Sequence, residues 1–446
     1  MEIGIIGTGH VGLVTGTCLA EIGHRVVCVD DDRKKVATLR AGGMPFYESH
    51  LEALLRRNRA AGRLSFAERL EEGIGQAEVI FICVGTPALP NGEADLSAVE
   101  QVARRIAESV TGYRLVVEKS TVPVQTGRWI ERTLAMYNGG LAKCDVASNP
   151  EFLREGSAVH DFLHPDRIVV GVGNARVQGL LRALYAPIVD GTFSCPIHHP
   201  CVRRQPVPFL VTNIESAELI KHASNAFLAM KISFINALAD LCERAGADVT
   251  AVAEGVGLDR RIGKSFLNAG IGFGGSCFPK DLQAFVKIAE KLGYDFALLR
   301  EVERINQGRA ALAVQKLRDH LWLLKGKRIG VWGLSYKPDT DDIREAPAIR
   351  IIRLLQQEGA EVRAYDPKAT ENARAELQGV VFCGDPYEAA QGAEALVLAT
   401  EWEEFKGLDL SRVKALMKWP LFLDGRNFFD KEPMRELGFE YLGIGR

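Results

Sequence analysis

The sequence predicts an α/β protein: two Rossmann-like, doubly wound parallel-sheet domains joined by a long central helix and a helical middle domain. Three observations predict it. Short β-type runs alternate with amphipathic helical runs through the first half, a proline-free run from Ile214 to Ala245 keeps helical spacing, and a second alternating series begins at Lys327. At 446 residues the chain is too long for one ordinary core, and a prior of roughly 150 residues per domain suggests about three units. We divide it at 1–205, 206–320 and 321–446.

The first series runs through Glu2–Ile6, Arg25–Asp30, Val79–Val84, Leu115–Lys119 and Asp145–Ser148. Glycine-rich turns follow such strands, and ligands in open parallel sheets bind at the strands' carboxyl ends. In the middle, Leu219, Ala223, Phe227, Met230, Phe234, Leu238 and Leu241 form one apolar stripe. A stripe that long exceeds what one neighbouring domain covers, so it predicts a dimer seam. The second series comprises strand Ile329–Gly333, helix Pro347–Gly359, strand Glu361–Asp366 and strand Ala395–Thr400. The two ends share an architecture and not a sequence repeat.

Composition narrows the functional classes. Apolar residues make up 47% and charged residues 25%, a globular balance, and a net charge of -2 gives no bulk attraction to nucleic acid or an anionic membrane. Met1 to Ile6 runs straight into a strand pattern without a secretory signal. No uncharged apolar run approaches the roughly 18 residues of a membrane span. Nine cysteines, an odd number scattered through apolar segments, fit reduced thiols in a cytoplasm better than a disulfide framework.

Gly7-Thr8-Gly9-His10-Val11-Gly12 lies between a strand and a helix. There the first glycine permits the tight turn, the second lets backbone approach a pyrophosphate and the third allows close helix packing. Asp30 ends the next strand at the roughly 20-residue distance of a ribose-binding acid. The run Asp30-Asp31-Asp32 would repel a 2′-phosphate, favouring NAD over NADP, although Lys35 one turn later could offset that repulsion.

The segment Gly272-Phe273-Gly274-Gly275-Ser276-Cys277-Phe278-Pro279-Lys280-Asp281 points to a nucleophile. With Pro279 as first residue of a helix through Leu282, Phe285 and Ile288, Cys277 would sit at a helix N-terminus, where the macrodipole favours thiolate. Alone, such a cysteine reads as buried structure. Beside a dinucleotide site it reads as the thiol that traps an aldehyde as a thiohemiacetal, which can itself lose hydride. Asp281, a turn later, could orient water or a proton carrier, while opposing thiol ionisation.

These motifs, with Val84-Gly85-Thr86-Pro87, Glu118-Lys119-Ser120-Thr121-Val122-Pro123, Asn149-Pro150-Glu151-Phe152-Leu153-Arg154-Glu155 and the pair Lys221 and Asn225, resemble the UDP-glucose/GDP-mannose dehydrogenase family over nearly the whole chain. The resemblance implies that Cys277 is the nucleophile and that Lys221 stabilises the oxyanion or relays its proton. It implies that Thr121, Asn225 and Asp281 position water, and that Glu151 or Glu155 serves hydrolysis and sugar binding. Lys221 and Asn225 are i,i+4 on one helix face, and Glu151 and Glu155 share that spacing. Gly7, Gly9, Val11, Gly12, Asp30, Lys35, Thr86, Thr121, Glu155, Lys280 and Arg344 are implied to hold NAD.

The sugar nucleotide falls, by the same resemblance, to Phe152, Leu153, Arg154, Glu155, Lys221, Asn225, Phe266, Asn268, Phe273, Gly274, Tyr336, Lys337 and Arg426, with Arg261 entering from a neighbouring subunit. The three segments become an NAD-binding domain, a central dimerisation domain and a UDP-sugar-binding domain. Glu155-Gly156-Ser157-Ala158, His164-Pro165-Asp166-Arg167 and the loop Phe266–Phe273 look like the branch acting on UDP-glucose more than those acting on GDP-mannose or N-acetylmannosamine. The implied reaction consumes two NAD per sugar, in a homodimer or higher homo-oligomer. The alternatives are a dehydrogenase for another UDP- or GDP-sugar and a non-catalytic nucleotide-sugar binder, and the binder has no use for Cys277 with Lys221. Cys195, His198, His199 and Cys201 offer four metal ligands in seven residues, but spaced poorly for zinc, so no metal is expected.

Overall fold

A computed structural model of the chain describes residues 1–139, 142–197 and 206–446. The chain divides into two compact units, Met1–Ser224 with Gln283–Lys291, and Asn225–Leu282 with Leu292–Arg446.

The first unit is built on eight strands: β1 (Glu2–Ile6), β2 (Arg25–Val29), β3 (Leu64–Ala67), β4 (Val79–Ile82), β5 (Arg114–Glu118), β6 (Cys144–Ser148), β7 (Ile168–Val172) and β8 (Phe209–Thr212), in the order β3-β2-β1-β4-β5-β6-β7-β8. Val79, Ile80, Phe81 and Ile82 are all buried, as a central parallel strand covered on both faces requires. Ile6 lies opposite Val29 on one side and Ile82 on the other, so the turns after β1, β2 and β4 emerge at one carboxyl edge. The sheet is parallel, as expected, except at one pair: β7 runs antiparallel to β6, with Ala147 opposite Val172.

The second unit contains β9 (Arg328–Trp332), β10 (Glu361–Tyr365), β11 (Val380–Phe382), β12 (Ala395–Leu398), β13 (Leu421–Asp424) and β14 (Glu440–Leu442), paired in the order β11-β10-β9-β12-β13-β14 with every pair parallel. Its core joins Ile235, Ala239 and Cys242 of the long helix to Ala313, Val314 and Leu317 of the helix Ala297–Leu321 and to the sheet.

Several strands end one or two residues earlier than expected, because residues such as Asp30 and Asp366 leave the ladder to bond the neighbouring turn. Asp30 accepts from the Thr8 amide at 2.8 Å, and Asp366 accepts from the Leu334 amide at 2.7 Å, at corresponding places in the two sheets. The helix Ile214–Ala245 has the expected bounds. By length and composition it is apolar enough to cross a membrane, with Lys221, Lys231 and Asp240 interrupting the apolar run. Its polar side chains are spent on the protein, however: Glu218 accepts from the Gly127 amide and Ser233 donates to the Val302 carbonyl, the pattern of a core helix.

Candidate active site

At the glycine turn, two glycines fill the fold and one faces outward. A Cβ on Gly7, whose φ is +95°, would lie 2.5 Å from the Cys83 carbonyl oxygen, and one on Gly12 would lie 1.9 Å from that of Gly7. A Cβ on Gly9 would meet nothing within 4 Å. Gly9 is also the N-cap of the helix His10–Glu21 and supplies no capping side chain, which suits that helix end to a phosphate. These residues fit a dinucleotide. Asp30 is buried, which opposes its ionisation, but hydrogen bonds from Thr8, Asp32 and Lys35 outweigh burial and hold the carboxyl below its ordinary range. Lys35 Nζ stands 3.0 Å from Asp30 Oδ2, while Asp31 and Asp32 stay exposed beside it.

Four sequence segments converge within the same unit. Thr86 Oγ1 donates to the Thr121 carbonyl at 2.8 Å, joining two of the expected cofactor residues. Glu151 is buried and accepts from Lys221 Nζ at 2.9 Å and from the Leu153 amide at 2.5 Å. The Phe152 ring carries the Arg167 guanidinium at 3.8 Å and the Lys221 ammonium at 5.6 Å. Arg154 pairs with Asp161 at 2.6 Å. The helical reading of Glu151 and Glu155 fails: 151–154 is irregular and Glu155 opens a turn, and the Glu151 carboxylate bonds the Leu153 amide two residues on.

In the second unit, Cys277 is the first residue of the helix Cys277–Lys291, so the helix starts two residues before Pro279, not at it. Pro279 still falls in the first turn, where a missing N–H costs nothing. Cys277 is the only exposed cysteine among those described, and its Sγ lies 3.7 Å from Ser276 Oγ. Asp281 is buried one turn on, accepting from Asn225 Nδ2 at 2.6 Å and pairing with Lys280 Nζ at 3.1 Å.

The turn before Cys277 is fastened at every step. Asn236 Oδ1 accepts from the Gly270 amide, and Arg426 donates to the Gly272 carbonyl, both at 2.8 Å. Asn306 bonds both the amide (2.8 Å) and carbonyl (3.0 Å) of Phe273. Gly275, at φ +82°, lies against Tyr336, whose ring carbons would be 2.9 Å from a Cβ there, and at Gly274 a Cβ would lie 2.4 Å from the Glu345 carbonyl oxygen. Phe266 and Phe273 both pack on Phe278. Lys337 Nζ lies 5.6 Å over the Tyr336 ring, Arg344 pairs with Asp342 at 2.6 Å, and Asn268 is exposed. Arg261 is almost wholly exposed and pairs with Asp259.

Comparison with known proteins decides what these turns belong to. Residues 1–189 match the NAD binding domain of the UDP-glucose/GDP-mannose dehydrogenase family, 215–308 its central domain and 330–431 its UDP binding domain. The chain belongs to this family. It is therefore a nucleotide-sugar dehydrogenase, and NAD is the cofactor. Over its full length it is 46% identical to the UDP-glucose 6-dehydrogenase TuaD of Bacillus subtilis, covering 93% of that protein, and 46% identical to the UDP-glucose 6-dehydrogenase of Rhizobium meliloti, covering 100% of it. A UDP-glucose dehydrogenase structure from Pyrobaculum islandicum superposes with a TM-score of 0.90 at 42% identity, over 99% of this chain and 97% of that one.

Within this family member, several residues of the site carried no sequence signal. Asn236 and Asn306 act through backbone far away in sequence, and Arg309 bonds the Gly270 carbonyl and the Asp240 carboxylate. Arg426, which the resemblance did single out, spends donors on the carbonyls of Ala399 and Gly272. Other buried groups could have been found. Glu118, pushed up to about 8 by burial, and Lys119, pushed down to about 8 by burial, are charged residues closing an apolar strand run. Lys119 Nζ reaches Asn149 Oδ1 at 3.2 Å, so it braces the segment that carries Glu151. Among the described residues no group of three or more His, Cys, Asp or Glu could hold a metal, and His198, His199 and Cys201 lie outside them.

Proposed function

We propose that the chain oxidises UDP-glucose at C6 to UDP-glucuronate in two NAD-dependent steps through a thioester on Cys277. The observation that carries the reading is the one exposed thiol among the described cysteines, at the N-terminal end of a 15-residue helix behind a rigidly fastened glycine turn. Helix N-terminal dipoles favour thiolate. When bound, NAD supplies the hydride acceptor, and two NAD take the four electrons that separate alcohol from carboxylate.

The residues divide the remaining work. After the first oxidation, the Cys277 thiolate adds to the aldehyde carbon, and the resulting oxyanion takes a proton or charge support from Lys221, whose ammonium Glu151 holds at 2.9 Å. Loss of the second hydride leaves a thioester on Sγ. Water then breaks the carbon–sulfur bond, releasing the carboxylate and returning the thiol. Asn225 and Asp281, bonded to each other at 2.6 Å, and Thr121 orient that water, with Glu151 or Glu155 as the base. Glycines 7, 9 and 12 with Val11, Asp30, Lys35, Thr86, Glu155, Lys280 and Arg344 hold NAD. Phe152, Leu153, Arg154, Phe266, Asn268, Phe273, Gly274, Tyr336, Lys337 and Arg426 hold the sugar nucleotide, with Arg261 from a partner subunit.

UDP-glucose as substrate is supported by the names of the full-length relatives and by the loop Phe266–Phe273. The reading includes a cytoplasmic homodimer, divided functionally at 1–205, 206–320 and 321–446. A panel of UDP-glucose, GDP-mannose and UDP-N-acetylmannosamine, followed by NADH absorbance, tests it. UDP-glucose should give the highest kcat/KM and two NADH per sugar consumed. Preference for another sugar refutes the substrate, and one NADH per sugar refutes the second oxidation.

A further inference from the structure

Glu48 belongs to none of the motifs above, yet its side chain is wholly buried and its carboxylate touches two of them. Oε2 lies 3.0 Å from His10 Nε2 and accepts from the Gly156 amide at 2.7 Å, while Oε1 accepts from the Ala158 amide at 2.9 Å. His10 is the residue after Gly9 in the dinucleotide turn and opens the helix His10–Glu21; its ring stacks on Phe46 with centroids 4.9 Å apart. Gly156, at φ +85°, directly follows Glu155, and Ala158 opens the helix Ala158–Leu163. Burying a carboxylate costs several kcal/mol unless donors meet it, and donors to an ionised oxygen form strong, directional bonds. Here both amide donors come from the segment Gly156–Ala158, and the His10 ring edge lies against the same carboxylate, so the buried group is in contact with both segments at once.

We propose that Glu48 is a positioning residue that ties the dinucleotide turn to the segment Phe152–Glu155, so that NAD and the sugar nucleotide are bound in mutual register. The inference rests on the reading that Phe152–Glu155 takes the sugar. It predicts that a change at His10, on the cofactor side, is felt by the sugar, because binding energies linked through one element are coupled reciprocally.

The test is a double-mutant cycle of His10→Phe, Glu48→Gln and the pair. Glutamine keeps the shape of Glu48 but has one acceptor oxygen for two amides. Each single variant should raise the KM of both NAD and the sugar nucleotide by about fivefold or more. The His10→Phe effect should vanish in the Glu48→Gln background. An effect of His10→Phe on NAD alone, or effects that multiply in the double variant, overturns the proposal. If Glu48→Gln fails to fold, His10→Phe decides by the sugar KM alone. Asn58→Ala, which removes buried hydrogen bonds to Glu21 and the Leu54 carbonyl in the same unit, controls for lost stability. Equal KM changes in that variant would make the role of Glu48 merely structural. The cycle is run with whichever sugar of the panel is oxidised, so a wrong substrate assignment is detected separately.

Discussion

Glu118 closes β5 almost without solvent exposure, and its Oε2 has no hydrogen-bond partner among the described residues. Burial pushes its pKa up from 4.5 to about 8, against the hydrogen bond from Ser120 and with Glu218 nearby. Because the folded pKa lies above the unfolded one, the contribution is fully present below pH 4.5 and is lost as pH rises through about 8. Glu118→Gln keeps an acceptor for Ser120 and cannot ionise. Its stability relative to the parent should be near zero at about pH 5 and grow to about 1–3 kcal/mol in its favour at about pH 8.5, measured by urea unfolding. Parallel pH curves would refute the burial argument. Cys277→Ser should fold and bind NAD, because a hydroxyl nearly preserves volume, while uronate formation falls by roughly three orders of magnitude, about 4 kcal/mol of barrier. Wild-type uronate production would remove the thiol from the mechanism. Residue types were the most legible level of the sequence: Cys277, Lys221 and Asp30 each carry chemistry that can be named without a fold. The spacing of Glu151 and Glu155 misled, because i,i+4 has meaning only on a helix and 151–154 is irregular.

At the scale of elements, what was legible was periodicity and glycine, and what was hidden was the fastening. The strands β1, β2, β4, β5 and β6 announce themselves as apolar runs, whereas the half-exposed edge strand β11, three residues long, does not. The turn before Cys277 was recognisable by its glycines, yet its shape depends on Asn236 and Asn306, whose bonds span 34 and 33 residues of sequence. No local pattern encodes such a partner. Asn306→Ala tests whether the fastening matters: it leaves the amide and carbonyl of Phe273 without partners in a buried place. At about 1–3 kcal/mol for each buried polar group left unmet, the variant should lose about 2–4 kcal/mol of stability. The Cys277 thiol should also alkylate at a changed rate, since its helix start is no longer held. Unfolding curves that superpose on the parent's would show that the turn holds itself.

At the scale of the whole molecule, the fold class could be read but the wiring could not. Strand order is a property of crossovers, and the same permutation, with the first strand of each sheet central, appears in both units without a repeating sequence. The expected dimer seam can be compared with exposure on the long helix. Leu219, Phe227, Phe234 and Leu241 remain 42%, 58%, 54% and 59% exposed on the long helix, although Ile235 and Ala239 on the same helix are buried. Phe227, Phe234 and Leu241 recur every seven residues, close to two helical turns, so they share one face. Apolar side chains in such a row gain free energy when covered, at about 25 cal/mol per Å² removed from water. We therefore expect the parent to have a mass near twice 48.9 kDa by light scattering at assay concentration. Phe227→Asp with Phe234→Asp places two carboxylates in that seam, where burial without a cation costs several kcal/mol on each side. The double variant should run near 48.9 kDa with an unchanged circular dichroism spectrum. If Arg261 serves a partner's site, the sugar KM of that monomer should rise together with that of Arg261→Ala in the dimer. A parent that is monomeric at full activity would exclude both the seam and the borrowed arginine, and a monomeric variant with an unchanged KM would exclude the arginine alone.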